Sequence, residues 1–581
     1  MERRTFLTST GAIGAGTLLS TLTAKTARGA LSVNGLFAQN GSRGSNSGAK
    51  PLGTESDDLT PYTGAWGDAQ LRHLLRRSMF GVHESQFLAA QQLGSMSAVV
   101  TQLLKASDLN QVPLPAKPGS WVDDLTFPNP KDPNYQVEAN NFFRQHSMRI
   151  NQIANWWFDL MAQESLSLRE KMTMLWTNHF VTGSQTVQYA PYMFTYLQTC
   201  RQYSLGNFKD FALAISTDPA MLVYLNGDQS YVTSKKSFVN ENYARELMEL
   251  FTLGIFDPKT GLANYTEADI QNSARALTGW KPTTSAPFVG QFNSGLHDTG
   301  TKTFLGHTGN WALQDILNII FAQGTPAGYT TAYWVCQKLY QEFVYYVPNK
   351  SVVDAMVTVM LANNFEIAPV MSALLSSAHF YDASVIGAQI KSPAQYMGSL
   401  VREFALTYPA FDPTDPPVGS IDTKTGYNIY TDTNPTLSIV TAIMNLQGQQ
   451  LLNPPNVKGW PGGHNWISTG TFQNREIYSY IIVNNGLVNS KNNWNLAFNA
   501  DTYAKQIPSG TIISAEALSL ALENLSSDMA FGPDIPFGPL ESGDLDTDIQ
   551  GDYKNPKYQY NTSGVNKFAT YLTDLPEFQL Y

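Results

Sequence analysis

Residues 240–280, NENYARELMELFTLGIFDPKTGLANYTEADIQNSARALTGW, predict two helices that are each followed by a glycine. Apolar side chains recur at helical spacing in the first half, and Gly254 is a natural stop because glycine readily adopts the left-handed conformation that ends many helices. The second half opens with a capping box from Thr266 to Asp269 and ends at Gly279. The stretch therefore indicates a helical protein.

Charged side chains line one face of the first predicted helix. Glu241, Arg245 and Glu249 follow one another at a spacing of four residues, and Glu246 lies beside this row. Small residues flank Arg275 in the second helix, so its guanidinium can reach Glu246 or Glu249 if the helices pack closely. Two interpretations are open: a clasp that holds two core helices in register, or a polar pocket whose carboxylates perform acid–base or metal chemistry.

Composition narrows the class of protein. Of 581 residues, 14% are charged and 12% are aromatic, and the net charge is −10, which argues against a nucleic-acid partner. This profile is typical of exported bacterial and carbohydrate-active proteins. Two cysteines, Cys200 and Cys336, are too few for a disulfide framework or a cysteine-based zinc site. Their apolar surroundings favour buried free thiols over a single bridge.

The first residues match an export sequence. Residues 3–7, RRTFL, fit the twin-arginine pattern, and the mildly apolar segment that follows is interrupted by glycines. We predict a signal peptide over residues 1–27, passage through the twin-arginine translocase, and location in the periplasm or at the cell surface. A membrane helix is the alternative, which the short, interrupted run disfavours, so we expect no membrane span in the mature chain. Residues 28–62 predict a flexible leader.

The remaining sequence predicts a mainly α fold, a large single helical domain over residues 63–581 with long irregular loops and little strand. Segments rich in Pro, Gly and Asp predict loops at about 111–135, 408–434 and 528–562, and residues 281–311 predict a loop or hairpin. Helical periodicity recurs at about 68–80, 84–93, 95–106, 136–163, 167–176, 190–203, 207–216, 218–225, 312–322, 332–345, 350–363, 366–377, 392–407, 435–447, 474–488 and 513–525.

Short motifs in a fixed order carry a resemblance to a known family. They include residues 74–81 (LLRRSMFG), 170–180 (EKMTMLWTNHF), 218–221 (DPAM), 302–306 (KTFLG), 377–381 (SAHFY), 454–463 (PPNVKGWPGG) and 576–579 (PEFQ). In order and content the chain resembles the bacterial family "domain of unknown function 1800" over nearly all of residues 66–581. The resemblance implies an exported, mostly helical protein, and a neighbouring exported sulfatase-like protein as a partner. It transfers no catalytic residue to this chain.

Two histidine motifs are candidates for chemistry. His179 follows Trp176 at a predicted helix end, where an imidazole can act as a base, a metal ligand or a cap. His297 and Asp298 precede Lys302 on a predicted loop, where function concentrates, although a turn held by the Asp side chain explains them equally well.

Familiar catalytic motifs are missing from the sequence. It contains no His-Glu-x-x-His, Cys-x-x-Cys, Gly-x-Ser-x-Gly or phosphate-binding Gly-Lys motif, so serine-hydrolase and P-loop chemistry are disfavoured. Ligands gathered from distant segments, such as His179, His297 and Glu246, would escape a spacing test. The sequence therefore leaves a divalent metal cofactor open.

Two loops are candidates for binding. Residues 454–466, PPNVKGWPGGHNW, form a rigid loop that presents Lys458, Trp460 and His464, and a flat indole beside polar groups suits a sugar ring; the alternative is that Trp460 packs the loop onto the helical body. An acidic loop offers alternating carboxylates, which are weak candidates for calcium and are better explained as a solvated acidic loop: Asp544, Asp546, Asp548 and Asp552.

The first functional hypothesis is an exported envelope or cell-surface hydrolase acting on a glycan or related polymer. Its catalytic candidates are His179, Glu246, Glu249, Arg245, Arg275, His297 and Asp298, and its substrate-binding candidates are Lys302, Lys458, Trp460 and His464. The alternative is a non-catalytic scaffold or binding protein for a surface polymer or for the sulfatase-like neighbour. Convergence of the catalytic candidates on an open pocket favours the enzyme, and dispersal into dry patches disfavours it.

Overall fold

The computed structural model describes residues 51–499, apart from residues 55, 106, 109–111, 414–417, 422–427, 431–433, 485 and 490–493, together with residues 569, 573 and 576–580. The predicted signal peptide, most of the leader, the helix at about 513–525 and the loop at about 528–562 lie outside these residues. So do the four calcium candidates Asp544, Asp546, Asp548 and Asp552.

Helices account for most of the described chain, which confirms the mainly α class. They are α1 Asp68–Ser78, α2 Glu84–Gln91, α3 Met96–Lys105, α4 Tyr135–Gln163, α5 Arg169–His179, α6 Ser184–Val187, α7 Ala190–Gln202, α8 Phe208–Ser216, α9 Pro219–Tyr224, α10 Asn242–Glu246, α11 Glu267–Ala276, α12 Leu313–Ile320, α13 Pro326–Phe343, α14 Lys350–Ala362, α15 Ile367–Leu375, α16 Pro393–Glu403, α17 Pro435–Leu446 and α18 Thr469–Asn484. Helix α10 continues directly into a π-helix, Leu247–Phe251.

Strands occur only as short antiparallel pairs among the described residues. The pairs are β1 Tyr231–Val232 with β2 Ser237–Phe238, β3 Trp280–Pro282 with β4 Gly290–Phe292, β5 Lys302–Phe304 with β6 His307–Gly309, β7 Val418–Ile421 with β8 Asn428–Tyr430, and β9 Leu487–Asn489 with β10 Trp494–Leu496. The second and third pairs lie within the stretch predicted as a loop or hairpin. Within the part of the chain that the structure describes, every helix is too short or too polar to cross a bilayer.

Local capping fixes several helix starts where the sequence predicts them. The Asp218 carboxylate accepts from the Ala220 backbone N–H at 2.9 Å, and Pro219 is the first residue of α9. The Thr266 and Asp269 side chains each bond the other's backbone N–H at the start of α11. The predicted capping box is therefore confirmed.

The buried apolar side chains form one core that extends from Leu71 to Phe578. Helix α4 is the longest and packs against α7, α16 and α17. The predicted loop at 111–135 is only partly a surface loop, because Trp121 and Val122 in a short 3-10 turn are fully buried. Burial of the large Trp121 side chain draws this part of the segment into the core, although the residues around it are typical of surface turns. Cys200 and Cys336 are both buried and free, as predicted.

A buried ion pair joins α5 to α7. Arg201 donates from Nε to Glu170 Oε1 at 2.8 Å and from Nη2 to Glu170 Oε2 at 2.9 Å, and Trp157 Nε1 donates to the same carboxylate. Neither charged side chain is accessible to solvent beyond a few per cent. The pair is fully hydrogen-bonded, and this compensates for taking both charges out of water.

We expect Glu170→Gln to lower the free energy of unfolding by about 3–5 kcal/mol, because it leaves Arg201 charged and buried without an anion. Urea unfolding followed by tryptophan fluorescence measures the loss. Asp123→Asn is the matched control: it breaks the exposed Lys117–Asp123 pair and is expected to cost less than about 1 kcal/mol. Similar midpoints for the two variants would show that the buried pair does not hold α5 and α7 together.

A second test uses pH. Burial raises the pKa of Asp218 to about 7, whereas an unfolded Asp ionises near pH 4. Between about pH 4 and pH 7 the folded chain therefore binds more protons than the unfolded chain. The contribution of protonated Asp218 to the stability of the fold is complete below about pH 4 and is lost as pH rises towards 7.

Asp218→Asn keeps an acceptor for the Ala220 N–H and removes the titration. The variant is expected to match the wild type near pH 4 and to be more stable by on the order of 3 kcal/mol at pH 8, read from thermal unfolding across pH. Asp218→Ala, which lacks both the titration and the cap, should be less stable than the Asn variant by about 1 kcal/mol at every pH. A difference between wild type and Asn variant that is independent of pH would contradict the assignment.

Candidate functional site

Two backbone carbonyls at the end of the π-helix Leu247–Phe251 accept hydrogen bonds from side chains of other helices. Leu250 O accepts from the indole Nε1 of Trp334 at 2.7 Å, and Phe251 O accepts from the imidazole Nε2 of His179 at 3.0 Å. The helix then closes where Gly254, at φ 70°, donates its N–H to Met248 O. π-helical turns are rare and frequently lie at functional sites, because they expose backbone groups that an α-helix would satisfy internally.

These two hydrogen bonds lie at the wall of a pocket of about 580 Å³, which we call the π-helix pocket. It is bounded by the π-helix and residues 253–258, by α13, by the end of α5 and by residues 457–458. Three of the predicted site residues line it: His179, Glu249 and Lys458. In the sequence His179 lies about 70 positions before Glu249, and Glu249 lies about 210 positions before Lys458. The fold brings the three together.

His179 forms part of the pocket floor and is 5% exposed. Because Phe251 O is an acceptor, Nε2 carries the proton and Nδ1 is left as an acceptor, which is buried and has no partner among the described residues. Burial lowers its pKa to about 3, and the charge of Lys338 adds to the effect. His179 is therefore neutral at physiological pH and suits positioning better than proton transfer.

Glu249 reaches the pocket from the π-helix, and Glu246 lies three residues before it. Both side chains are half-buried. The pKa of Glu246 is raised, first by burial and then by the charge of Glu249, while Lys458 opposes the shift. The two carboxyl groups therefore lie close enough for the charge of Glu249 to disfavour ionisation of Glu246.

The loop at residues 454–466 is clamped onto the end of α5. The Asn178 side chain accepts from the backbone N–H of Trp460 at 2.7 Å and donates to its carbonyl at 3.2 Å. Gly459, at φ 81°, permits this approach, because a Cβ there would lie 2.2 Å from Asn178 Oδ1. The clamp holds Lys458 at the pocket rim.

Trp460 itself does not face the pocket. It is 5% exposed and belongs to the hydrophobic core. The expectation that its indole stacks on a sugar ring is therefore wrong, and the alternative, a tryptophan that packs the loop onto the body, describes the structure. The indole fills the core because burying it contributes more than any exposed stacking face would.

Trp334 and Lys338, both on α13, line the pocket and were not among the predicted site residues. They are four residues apart, so they share one helix face, and the Lys338 ammonium lies 5.0 Å from the Trp334 ring centre. The i, i+4 pairing of an aromatic and a lysine in the predicted helix at 332–345 was the available signal. A lysine on a helix is so often solvated that this spacing alone did not point to a pocket.

Arg275, His297, Asp298 and Lys302 form a separate cluster, and none of them lines the π-helix pocket. Arg275 donates to both carboxylate oxygens of Asp298, at 2.7 and 3.1 Å, so the expectation that it reaches Glu246 or Glu249 is wrong. Its bidentate partner comes from the loop that follows α11 rather than from the neighbouring helix.

The rest of this cluster is committed to backbone groups. Lys302 is 1% exposed and donates to the carbonyls of Asp298 and Gly300, so it is not available to a substrate. His297 Nδ1 bonds Thr278. These contacts describe a folded turn, which was the alternative left open for His297 and Asp298.

Two further candidates lie elsewhere. Arg245 pairs with Glu267 at 2.7 Å and with Glu241 at 3.5 Å at the surface, so it ties α10 to α11. His464 is exposed and shares a 2.6 Å hydrogen bond with the Tyr346 hydroxyl. Within the described ranges, no three His, Cys, Asp or Glu side chains come together as metal ligands, and His179, Glu246 and His297 are not gathered at one point.

Comparisons with known proteins agree with the motif order. No curated protein matches the sequence, and no solved structure matches it. The model of a family described as "Protein of unknown function (DUF1800)" matches residues 73–580. This range includes every element that builds the π-helix pocket. Because the match spans most of the 581 residues, the chain belongs to the DUF1800 family.

Proposed function

We propose that this chain is an exported hydrolase of the cell envelope or cell surface that acts on a glycan or a related polymer, with its chemistry in the π-helix pocket. The observation that carries the proposal is the pair Glu246 and Glu249, whose charges interact beside an open pocket. Glycoside hydrolysis ordinarily uses two carboxyl groups with different protonation states, one as acid and one as base or nucleophile.

In this proposal each carboxyl group has a role. Glu246, whose pKa is raised by burial and by Glu249, holds a proton for the leaving-group oxygen. Glu249 lines the pocket and acts as the ionised carboxylate. Lys458 at the rim opposes the rise in the pKa of Glu246, because its positive charge favours the ionised carboxylate.

The aromatic wall of the pocket suits a carbohydrate. Tyr333 and Trp334 line it side by side on α13, and aromatic faces pack well against the apolar faces of sugar rings. Hydrogen bonding fixes the Trp334 ring, because its Nε1 donates to Leu250 O. Trp334 thus takes the stacking role that the sequence suggested for Trp460.

A second candidate, a non-catalytic binding protein for a surface polymer or for a sulfatase-like partner, is favoured by one observation. Ile255, Phe256 and Leu262 are 44%, 62% and 70% exposed on the loop beside the pocket. Exposed apolar side chains grouped in this way often mark an interaction surface. The two candidates differ in whether bound polymer is cleaved.

The proposed location rests on residues 1–27. We expect Arg3→Lys together with Arg4→Lys to abolish export, because the translocase recognises the arginine pair. Cell fractionation measures the result, with Lys25→Arg as a control that keeps the charge and leaves the pair intact. An unchanged periplasmic or extracellular fraction in the double variant would remove the twin-arginine route from the proposal.

For the catalytic proposal, we expect Glu249→Gln to lower kcat/KM by at least about 100-fold, the usual scale of acid–base catalysis. The measurement is the release of reducing ends from envelope polysaccharides by the mature chain. Glu241→Gln is the matched control, since Glu241 bonds Arg245 outside the pocket; it should retain activity within about twofold.

Glu246→Gln adds a pH test. Wild-type activity should fall as pH rises through the raised pKa of Glu246, and this limb should vanish in the variant, because an amide cannot donate the proton. Equal activity of Glu249→Gln and wild type would contradict the hydrolase. Polymer that is bound by every variant and cleaved by none would favour the binding protein instead.

A further inference from the structure

The π-helix pocket contains a cation that the proposed acid–base pair does not use. Lys338 lies on α13 and lines the pocket wall next to His179. Burial lowers the pKa of its ammonium group. Among the described residues no carboxylate forms an ion pair with Lys338. The Trp334 ring, whose π face attracts cations, lies near its ammonium group.

The other lysines of the pocket are in different situations. Lys350 forms a 2.7 Å ion pair with Asp354 and is thereby neutralised. Lys458 is exposed at the rim, and its charge acts on Glu246. Lys338 alone in this pocket combines partial burial with a charge that no described carboxylate pairs.

A partly desolvated ammonium without an anion is costly, and the cost is offset when an anion binds. His179 cannot supply the missing charge, because it is neutral and its Nε2 proton is given to Phe251 O. The space in front of Lys338 is the pocket itself, so the missing partner is expected to arrive with the ligand.

We propose that Lys338 binds an anionic substituent of the ligand, a carboxylate, sulfate or phosphate group carried on a sugar ring, so that the pocket prefers acidic over neutral glycans. This inference rests on the proposed function, since it names the substrate class of the same pocket. The ring would lie against Trp334, which is fixed next to Lys338 on the same helix face.

The overall charge of −10 does not oppose this preference. Net charge acts over distances that salt screens within about 10 Å, whereas a charge-assisted hydrogen bond inside a pocket is little screened. An anionic group is therefore selected by local contact, and long-range attraction is not expected to speed its association.

The test uses the mature chain carrying Glu249→Gln, so that binding is measured without turnover. Isothermal titration compares galacturonate oligomers with galactose oligomers of equal length, and adds sulfated and phosphorylated galactose to separate the three anions. Lys338→Gln is expected to weaken binding of the preferred acidic ligand about 10- to 100-fold and to leave the neutral ligand within about twofold. Lys338→Arg, which keeps the charge, should retain most of the affinity.

Lys350→Gln is the matched control, because it removes a lysine of the same pocket whose charge is already paired. It should change acidic-ligand affinity by less than about threefold. Thermal unfolding checks that Lys338→Gln folds, and its melting temperature is expected to rise because an unpaired charge is lost. In the Glu249→Gln background, equal affinity of the chains with and without Lys338→Gln for every acidic ligand would overturn the inference.

Inorganic sulfate and phosphate distinguish the anion site from the glycan assignment. If they stabilise the wild type but not Lys338→Gln, and no glycan binds, the anion site stands and the glycan assignment of the proposed function fails. If they stabilise both proteins equally, Lys338 is not an anion site, whatever the outcome for hydrolysis.

Discussion

The turn Leu247–Phe251 sets the geometry on which the pocket depends. Leu250 and Phe251 are the last residues of this helix, so their carbonyls lack the backbone partners that residues inside a helix have. Here Leu250 O and Phe251 O accept instead from Trp334 and His179. This helix end therefore ties α5 and α13 to the same five residues and leaves the space between them open.

This arrangement explains why a buried histidine is neutral and oriented. An imidazole that donates from Nε2 to a carbonyl has its tautomer fixed, and burial makes a second proton unfavourable. The same neutrality matters for Lys338, because two positive groups side by side at the pocket wall would repel each other. His179 is thus a positioning residue whose neutral state allows the lysine to keep its charge.

The charged residues within residues 240–280 fall into two groups in the structure, those that form ion pairs and those that do not. Arg245 and Arg275 form ion pairs that hold segments together. Arg245 pairs with Glu267 and so links α10 to α11, and Arg275 pairs with Asp298. Glu246 and Glu249 remain outside these pairs. Each guanidinium has its carboxylate partner, so neither Arg245 nor Arg275 forms an ion pair with Glu246 or Glu249 among the described residues.

Features of this fold that depend on local interactions were predictable from the sequence. Capping at Asp218 and Thr266, helical periodicity and the glycine at 254 are decided within a few residues, and the structure confirms them. The position of the Trp460 side chain was not predictable in this way. An indole before Gly-rich residues can either pack into the core or lie exposed as a stacking surface, and packing with distant helices decides between the two.

The pocket was predictable only in part, for the same reason. His179, Glu249 and Lys458 drew notice as polar groups in apolar or rigid contexts, but their convergence depends on a π-helical turn that no propensity scale encodes. Lys338 shows the converse. Its residue type is ordinary for a helix surface, and only the absence of a carboxylate among its described neighbours, which is a property of the assembled fold, distinguishes it from Lys350. Of the three lysines that line the pocket, Lys338 is the one that combines partial burial with the lack of a paired carboxylate among the described residues, and this is why we propose it as the anion-binding residue.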